Sequence, residues 1–189
     1  MRILLSFVPY FVFGFILDAV PVALACLIAA IVGLVIALGD YRLRGRSIKL
    51  LDGGTIAIFV IVALIAAFLK PALQPSWVWV ATNAGLLAIS LVSLAIRRPF
   101  TLQYAREQVG PDLWNSPVFL AVNDRITAVW ALAFAVMLFF QLAIITMPGM
   151  PALADYVGSI APVFVALAFT AWYPRHVRRS YATGSRPAT

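Results

Sequence analysis

Cysteine and histidine are almost missing from this chain: Cys26 and His176 are the only ones in 189 residues. One thiol cannot form an intrachain disulfide, and one cysteine with one histidine falls short of the ligand sets that hold structural or catalytic zinc. Charge is scarce as well, at 11% Asp, Glu, Lys and Arg, with only seven acids. No pair of carboxylates sits on an apolar run, and there is no His/Glu cluster, Gly-x-Ser-x-Gly elbow, phosphate-cradling glycine loop or Asp-rich diphosphate motif. No catalytic, cofactor-binding or metal-binding residue is therefore expected.

Apolar residues fill the space that charge leaves. They make up 63% of the chain, and the mean hydropathy is +1.00, far from a soluble globular domain. The net charge of +7 would suit nucleic acid only if basic residues gathered on a soluble face; here they punctuate apolar runs, and no nucleic acid partner is expected. Arg2 before an apolar stretch, with Ala23-Leu24-Ala25 before Cys26, imitates a secretory or lipoprotein signal. Asp18 and Pro21 interrupt that stretch and it resumes through Leu38, so cleavage is not expected.

Six apolar segments can be marked, at residues 3–17, 22–38, 55–69, 77–96, 126–147 and 157–172. None alternates with the period of a strand, and inside lipid a continuous apolar run satisfies its backbone only as a helix. The expected fold is all-α: a polytopic bundle of six transmembrane helices in three hairpins, with a short interfacial helical segment between the fourth and fifth. One domain covers residues 1–177, followed by a basic flexible tail at 178–189. Asp52-Gly53-Gly54 before Thr55 reads as a turn and helix cap.

Orientation follows from lysine and arginine. With the N-terminus inside, 13 of the 14 basic residues fall on the cytoplasmic side and only Lys70 faces out. The connections at 18–21 and 148–156 carry no basic residue. Trp77, Trp79, Tyr156, Trp172 and Tyr173 fall at span ends, as aromatic belts do. A multi-pass protein with both ends in the cytoplasm results. An enzyme acting on lipid would have to use His176 and Asp18, which this topology puts on opposite sides of the bilayer.

Four features compete for a functional role. Ala25, Ala29, Gly33 and Ala37 recur every four residues, a smooth seam for another helix of the same chain or for a homo-oligomer. Asn83 and Gln141 lie at similar depth and could bond to each other or form part of a solute pocket, the basis of an alternative reading as a small transporter or flippase. Pro162 should kink the last span. The connection 97–125 mixes Phe100, Leu102, Tyr104, Trp114, Val118 and Phe119 with polar residues, which suits a segment lying among headgroups. Thr101 could cap a short helix there, and Asn115 or Ser116 before Pro117 reads as a second helix start. Arg97, Arg98 and Arg106 beside Trp114 could bind anionic lipid headgroups or a protein partner.

Phe7-Val8-Pro9 in a short first span, Arg98-Pro99 after the fourth, Trp114 in the following loop, then Asn123 and Thr127-Ala128-Val129-Trp130 entering the fifth form a pattern. It resembles the bacterial inner-membrane family called intracellular septation protein A. The resemblance, carried by Pro9, Arg98, Pro99, Trp114, Asn123 and Trp130, implies a cytoplasmic-membrane protein of the cell envelope. It further implies a non-enzymatic role in cell division or envelope maintenance, with division or envelope-synthesis membrane proteins as partners. Residues 100–107 and the basic tail depart from that pattern.

Overall fold

The computed structural model describes residues 2–44, 47, 49–147 and 149–184. The side chains of residues 2, 3, 43, 44, 152, 155, 156 and 181–184 are outside the description. Arg46, Pro148 and Arg186 fall outside the described residues, as does the Tyr156 ring expected in an aromatic belt. A 3-10 turn over Arg2–Phe7 leads into α1 (Val8–Ile16), followed by α2 (Val22–Arg44), α3 (Leu50–Leu64), α4 (Pro75–Ala95), α5 (Thr101–Ala105), α6 (Pro117–Thr146) and α7 (Ala152–Gly184). No strand occurs among the described residues.

Prolines start these helices where a missing N–H does no harm. Pro9 sits in the first turn of α1, while Pro75 and Pro117 open α4 and α6 behind the extended residues Gln74 and Ser116. α3 starts earlier than its hydropathy suggests. Asp52, Gly53 and Gly54 are helical rather than a turn, because Lys49 is extended at the N-cap and Asp52 falls in the first turn, where a carboxylate faces the positive end of the helix dipole. At its far end α3 widens into a π-helical turn over Ile65–Leu69, closed by Lys70 N–H to Ile65 O at 2.8 Å. Pro162 lies within a helix that continues past it, and α7 is helical through Gly184, into the segment expected as a tail.

Among the described residues five segments are long and apolar enough to cross a membrane: Val22–Arg42, Leu50–Leu69, Pro75–Ala95, Pro117–Thr146 and Val157–Ser180; the first apolar stretch, Leu4–Ile16, is shorter. Polarity is inverted relative to a soluble protein. Phe15 is 89% exposed and Phe68 79%, whereas Thr82, Ser90, Ser93, Asn123 and Thr127 are buried. Several of these bond back to their own helix, as Ser90 Oγ does to Leu86 O (2.8 Å) and Asn123 Nδ2 to Phe119 O (2.8 Å), so these two donors are satisfied without leaving their helix.

The helices pack as a series, α1 on α2, α2 on α3, α3 on α4, α4 on α6 and α6 on α7. The seam of Ala25, Ala29, Gly33 and Ala37 is buried within the chain, and a Cβ on Gly33 would stand 3.1 Å from Ile56 and 3.3 Å from Pro9. α3 and α4 lock reciprocally: Ile89 fills the space over Gly54, and Ile58 the space over Gly85. One core gathers around Trp130, stacked on Phe7 at 5.2 Å and donating to Thr170 Oγ1 at 3.1 Å. A second surrounds Phe13 and Phe59, 5.5 Å apart. Of the expected belt, Trp77 and Trp172 are exposed, but Trp79 turns in against Phe13 (5.1 Å) and Tyr173 is buried, taking a hydrogen bond from Arg125. Residues one or two apart on a helix point to different faces, so adjacent aromatics do not share a belt.

Candidate functional site

The end of the bundle that carries the arginines is built around α5. The apolar side chains of that helix, expected to lie among headgroups, pack into the bundle. Phe100, Leu102 and Tyr104 are buried, because α4 ends in a tight turn that sends the chain back under the bundle. The Ser93 hydroxyl, itself bonded to Ser90 O, accepts from Phe100 N–H at 3.2 Å. Thr101 does not cap α5; its hydroxyl meets Thr127 Oγ1 at 2.8 Å and Asn123 O at 3.1 Å, tying α5 to α6. The start signal at Ser116-Pro117 opens no separate short helix but the whole of α6.

On its other side α5 reaches the N-terminal segment and the start of α3. Tyr104 Oη lies 2.7 Å from Ser6 Oγ and 3.4 Å from Asp52 Oδ1, and Gln103 Oε1 accepts from Leu50 N–H at 2.6 Å. Lys49, only 4% exposed, sits 3.4 Å from both Asp40 and Glu107, with its ammonium 4.8 Å from the centre of the Tyr104 ring. Burial, and after it the neighbouring Asp52 charge, pushes the Tyr104 phenol well above its ordinary value, so Tyr104 remains a neutral donor. Lys49 had counted in the sequence only as one more inside charge. Its burial was foreshadowed only by Asp40 nine residues before it, at the far side of a short connection.

The four residues expected to meet headgroups or a partner fall into two groups. Arg106 and Trp114 come together, the guanidinium carbon 5.5 Å from the centre of the indole ring; Trp114 is held in turn by its own N–H to Val109 O at 3.3 Å. Arg106 Nε is buried without a hydrogen-bond partner, the only such side-chain atom among the described residues. Arg97 and Arg98 project from the end of α4 and are exposed. Arg97 has a left-handed backbone, φ 54°, and the turn it forms closes with Arg98 N–H to Ser93 O at 2.9 Å. Glycine normally takes this helix-ending position. None of the three arginines has an ion pair within the described residues.

Asn83 and Gln141 are not bonded to each other. Gln141 Nε2 donates to Ser159 Oγ on α7 at 3.2 Å. Asn83, 3% exposed, lines a cavity of about 310 Å³ between the N-terminal segment, α1, α4, α6 and α7, and Ser159 lies on the same wall. Asp18 is exposed in the turn after α1, away from both sites, whereas Asp40 and Asp52 lie within α2 and α3. No group of three or more metal-ligating side chains occurs among the described residues.

No known family model, curated protein or solved structure matches this chain. The positions that carry the septation-family resemblance divide structurally: Pro9, Pro99, Asn123 and Trp130 are buried, Trp114 is half-buried and Arg98 is exposed.

Proposed function

We propose that this chain is a six-span protein of a bacterial cytoplasmic membrane, both ends cytoplasmic, that serves the cell envelope without catalysis by holding anionic lipid headgroups at its arginine-bearing end. The observation that carries this reading is Arg97. Left-handed backbone costs a side chain on the order of 1–2 kcal/mol that glycine avoids, yet an exposed, unpaired arginine occupies it. A strained residue held at a surface points to function.

Arg106 strengthens the case. Its fork of N–H donors matches a phosphate oxygen pair, and stacking on Trp114 holds it in place without using those donors. Because α5 is pinned to the N-terminal segment, α3 and α6, the arginines stand on a fixed platform. The short first segment is compatible with a sixth span. Six residues of 3-10 helix at ~2.0 Å each and nine of α-helix at ~1.5 Å reach roughly 25 Å, close to the ~30 Å of hydrocarbon.

The septation-like role in division or envelope maintenance, with membrane-protein partners, rests on the resemblance and on this basic face. Lipid enrichment tests it. In nanodiscs of mixed phosphatidylglycerol and phosphatidylcholine, the wild-type protein should retain the anionic lipid, and each Arg→Glu change at 97, 98 and 106 should reduce that preference about fivefold, the effect of ~1 kcal/mol per basic residue. An unchanged preference in the triple variant overturns the proposal. Reporter fusions at Ala19, Gln74 and Ala152 should read outside, and those at Gly45, Gln108 and Ala182 inside.

A further inference from the structure

The cavity between α1, α4, α6 and α7 is separate from the arginine-bearing end, and its lining defines what it can hold. At about 310 Å³ it is twice the ~150 Å³ that accommodates a benzene ring in an apolar core and falls at the small end of the ~300–1,000 Å³ range of ligand sites. Among the described residues none that lines it is charged, so an ionic ligand would enter with its charge unpaired. Six aromatic side chains do: Phe7, Tyr10, Phe11, Trp79, Phe134 and Phe164. Such walls favour a flat ring.

Asn83 supplies an unsatisfied amide. It is 97% buried and its amide makes no hydrogen bond within the described residues, whereas the two hydroxyls on the wall are engaged: Tyr10 Oη lies 2.9 Å from Thr55 Oγ1, and Ser159 takes the bond from Gln141. A buried amide is ordinarily partnered. It stands eight residues from Pro75 and twelve from Ala95, roughly 12 and 18 Å from the helix ends at 1.5 Å per residue. That is hydrocarbon depth, below the ester groups of a phospholipid. An acyl chain threaded past Asn83 would leave the amide bare. The opening is lateral, since Phe11 and Phe164 on its wall are 72% and 65% exposed on the outer surface.

We infer that this cavity binds the head ring of a neutral prenyl quinone, entering sideways from the bilayer, with a ring carbonyl accepting from the Asn83 amide and the first isoprene unit against the α1 and α7 walls. Volume, neutrality, aromatic lining, depth and an unpaired donor all fit this class of lipid. The inference needs only that the bundle is embedded in a membrane and does not depend on the arginines.

The test is fluorescence titration of the full-length protein in nanodiscs with a benzoquinone carrying one isoprene unit. Quinones quench indole emission, so the wild type should show a saturable component that disappears in Trp79→Phe. Asn83→Leu removes no hydrogen bond within the protein, so it should fold normally, yet it should weaken the titration about three- to tenfold, the loss of one neutral hydrogen bond. Val163→Phe, which fills the cavity from α7, should abolish the saturable component, while the triple Arg→Glu variant should keep it. Quenching that is non-saturable, or equal in wild type and Asn83→Leu, overturns the inference. So does quenching of Trp79 by phosphatidylcholine brominated on its acyl chains with no displacement by the quinone, which would make the cavity an acyl-chain groove.

Discussion

Replacing Gly158 by alanine should separate α7 from α6. A Cβ on Gly158 would stand 2.2 Å from Cγ of Phe140, and 2.6 Å from both its Cβ and Cδ1. Two of those atoms belong to a rigid ring and the third is fixed to the α6 backbone, so no rotamer of Phe140 clears them all. The helices must move apart, at a cost of about 2–3 kcal/mol, the upper part of the overpacking range because no rotamer relieves the collision, partly offset by the ~1 kcal/mol that alanine gains over glycine in a helix interior. A net loss of about 1–2 kcal/mol remains, or roughly 2–8 °C at ~2–4 °C per kcal/mol for a chain of this size. Gly39 in α2 is the internal control. Nothing lies within 4 Å of its Cβ position, so Gly39→Ala should be neutral or slightly stabilising. Thermal unfolding in detergent, followed by the loss of monodisperse protein, reads both. The decisive arm is the double variant Gly158→Ala with Phe140→Ala, in which the collision partner is gone. Its stability should exceed the sum of the single effects by at least about 1 kcal/mol. Strict additivity, or a Gly158→Ala protein as stable as wild type, would refute the packing argument and with it the rigid α7 wall of the cavity.

Three further outcomes follow from the arginine-bearing end. Arg97→Gly should raise stability by about 1 kcal/mol in the same unfolding assay by relieving the left-handed backbone, while weakening anionic-lipid retention; a stability loss would mean the strain is not there. Lys49→Met should destabilise by about 1–3 kcal/mol, because it removes the buried cation that Asp40 and Glu107 share at 3.4 Å and with it two charge-assisted contacts, and protease accessibility of residues 106–116 should rise with it. Tyr104 gives a pH signature. Its phenol is raised in the folded protein, so its contribution is fully present below the ordinary tyrosine value of about 10 and is lost as pH climbs above that. Alkaline destabilisation should therefore begin above about pH 10 and be smaller in Tyr104→Phe, a variant already weakened at neutral pH by loss of the bond to Ser6.

What could be read from residues alone tracks the range of the interactions involved. Long apolar runs announce helices because lipid permits nothing else, and the four-residue spacing of Ala25, Ala29, Gly33 and Ala37 announces a buried seam because spacing and small size are local properties. Where an outcome depended on a distant partner, local reading failed. Phe100 to Tyr104 has the composition of an interfacial segment, yet its fate was decided by Ser6, Asp52 and Thr127, residues 26 to 98 positions away. Asn83 and Gln141 share a depth, but depth does not set azimuth. Gln141 found Ser159, and Asn83 was left facing empty space. The two failures have opposite consequences. When α5 buried its polar groups it found partners for them, which makes the arginine-bearing end a rigid scaffold. When α4 buried Asn83 it found none, and at a side chain held at bilayer depth without a bond, binding a neutral molecule would remove an energetic penalty rather than disturb a settled contact.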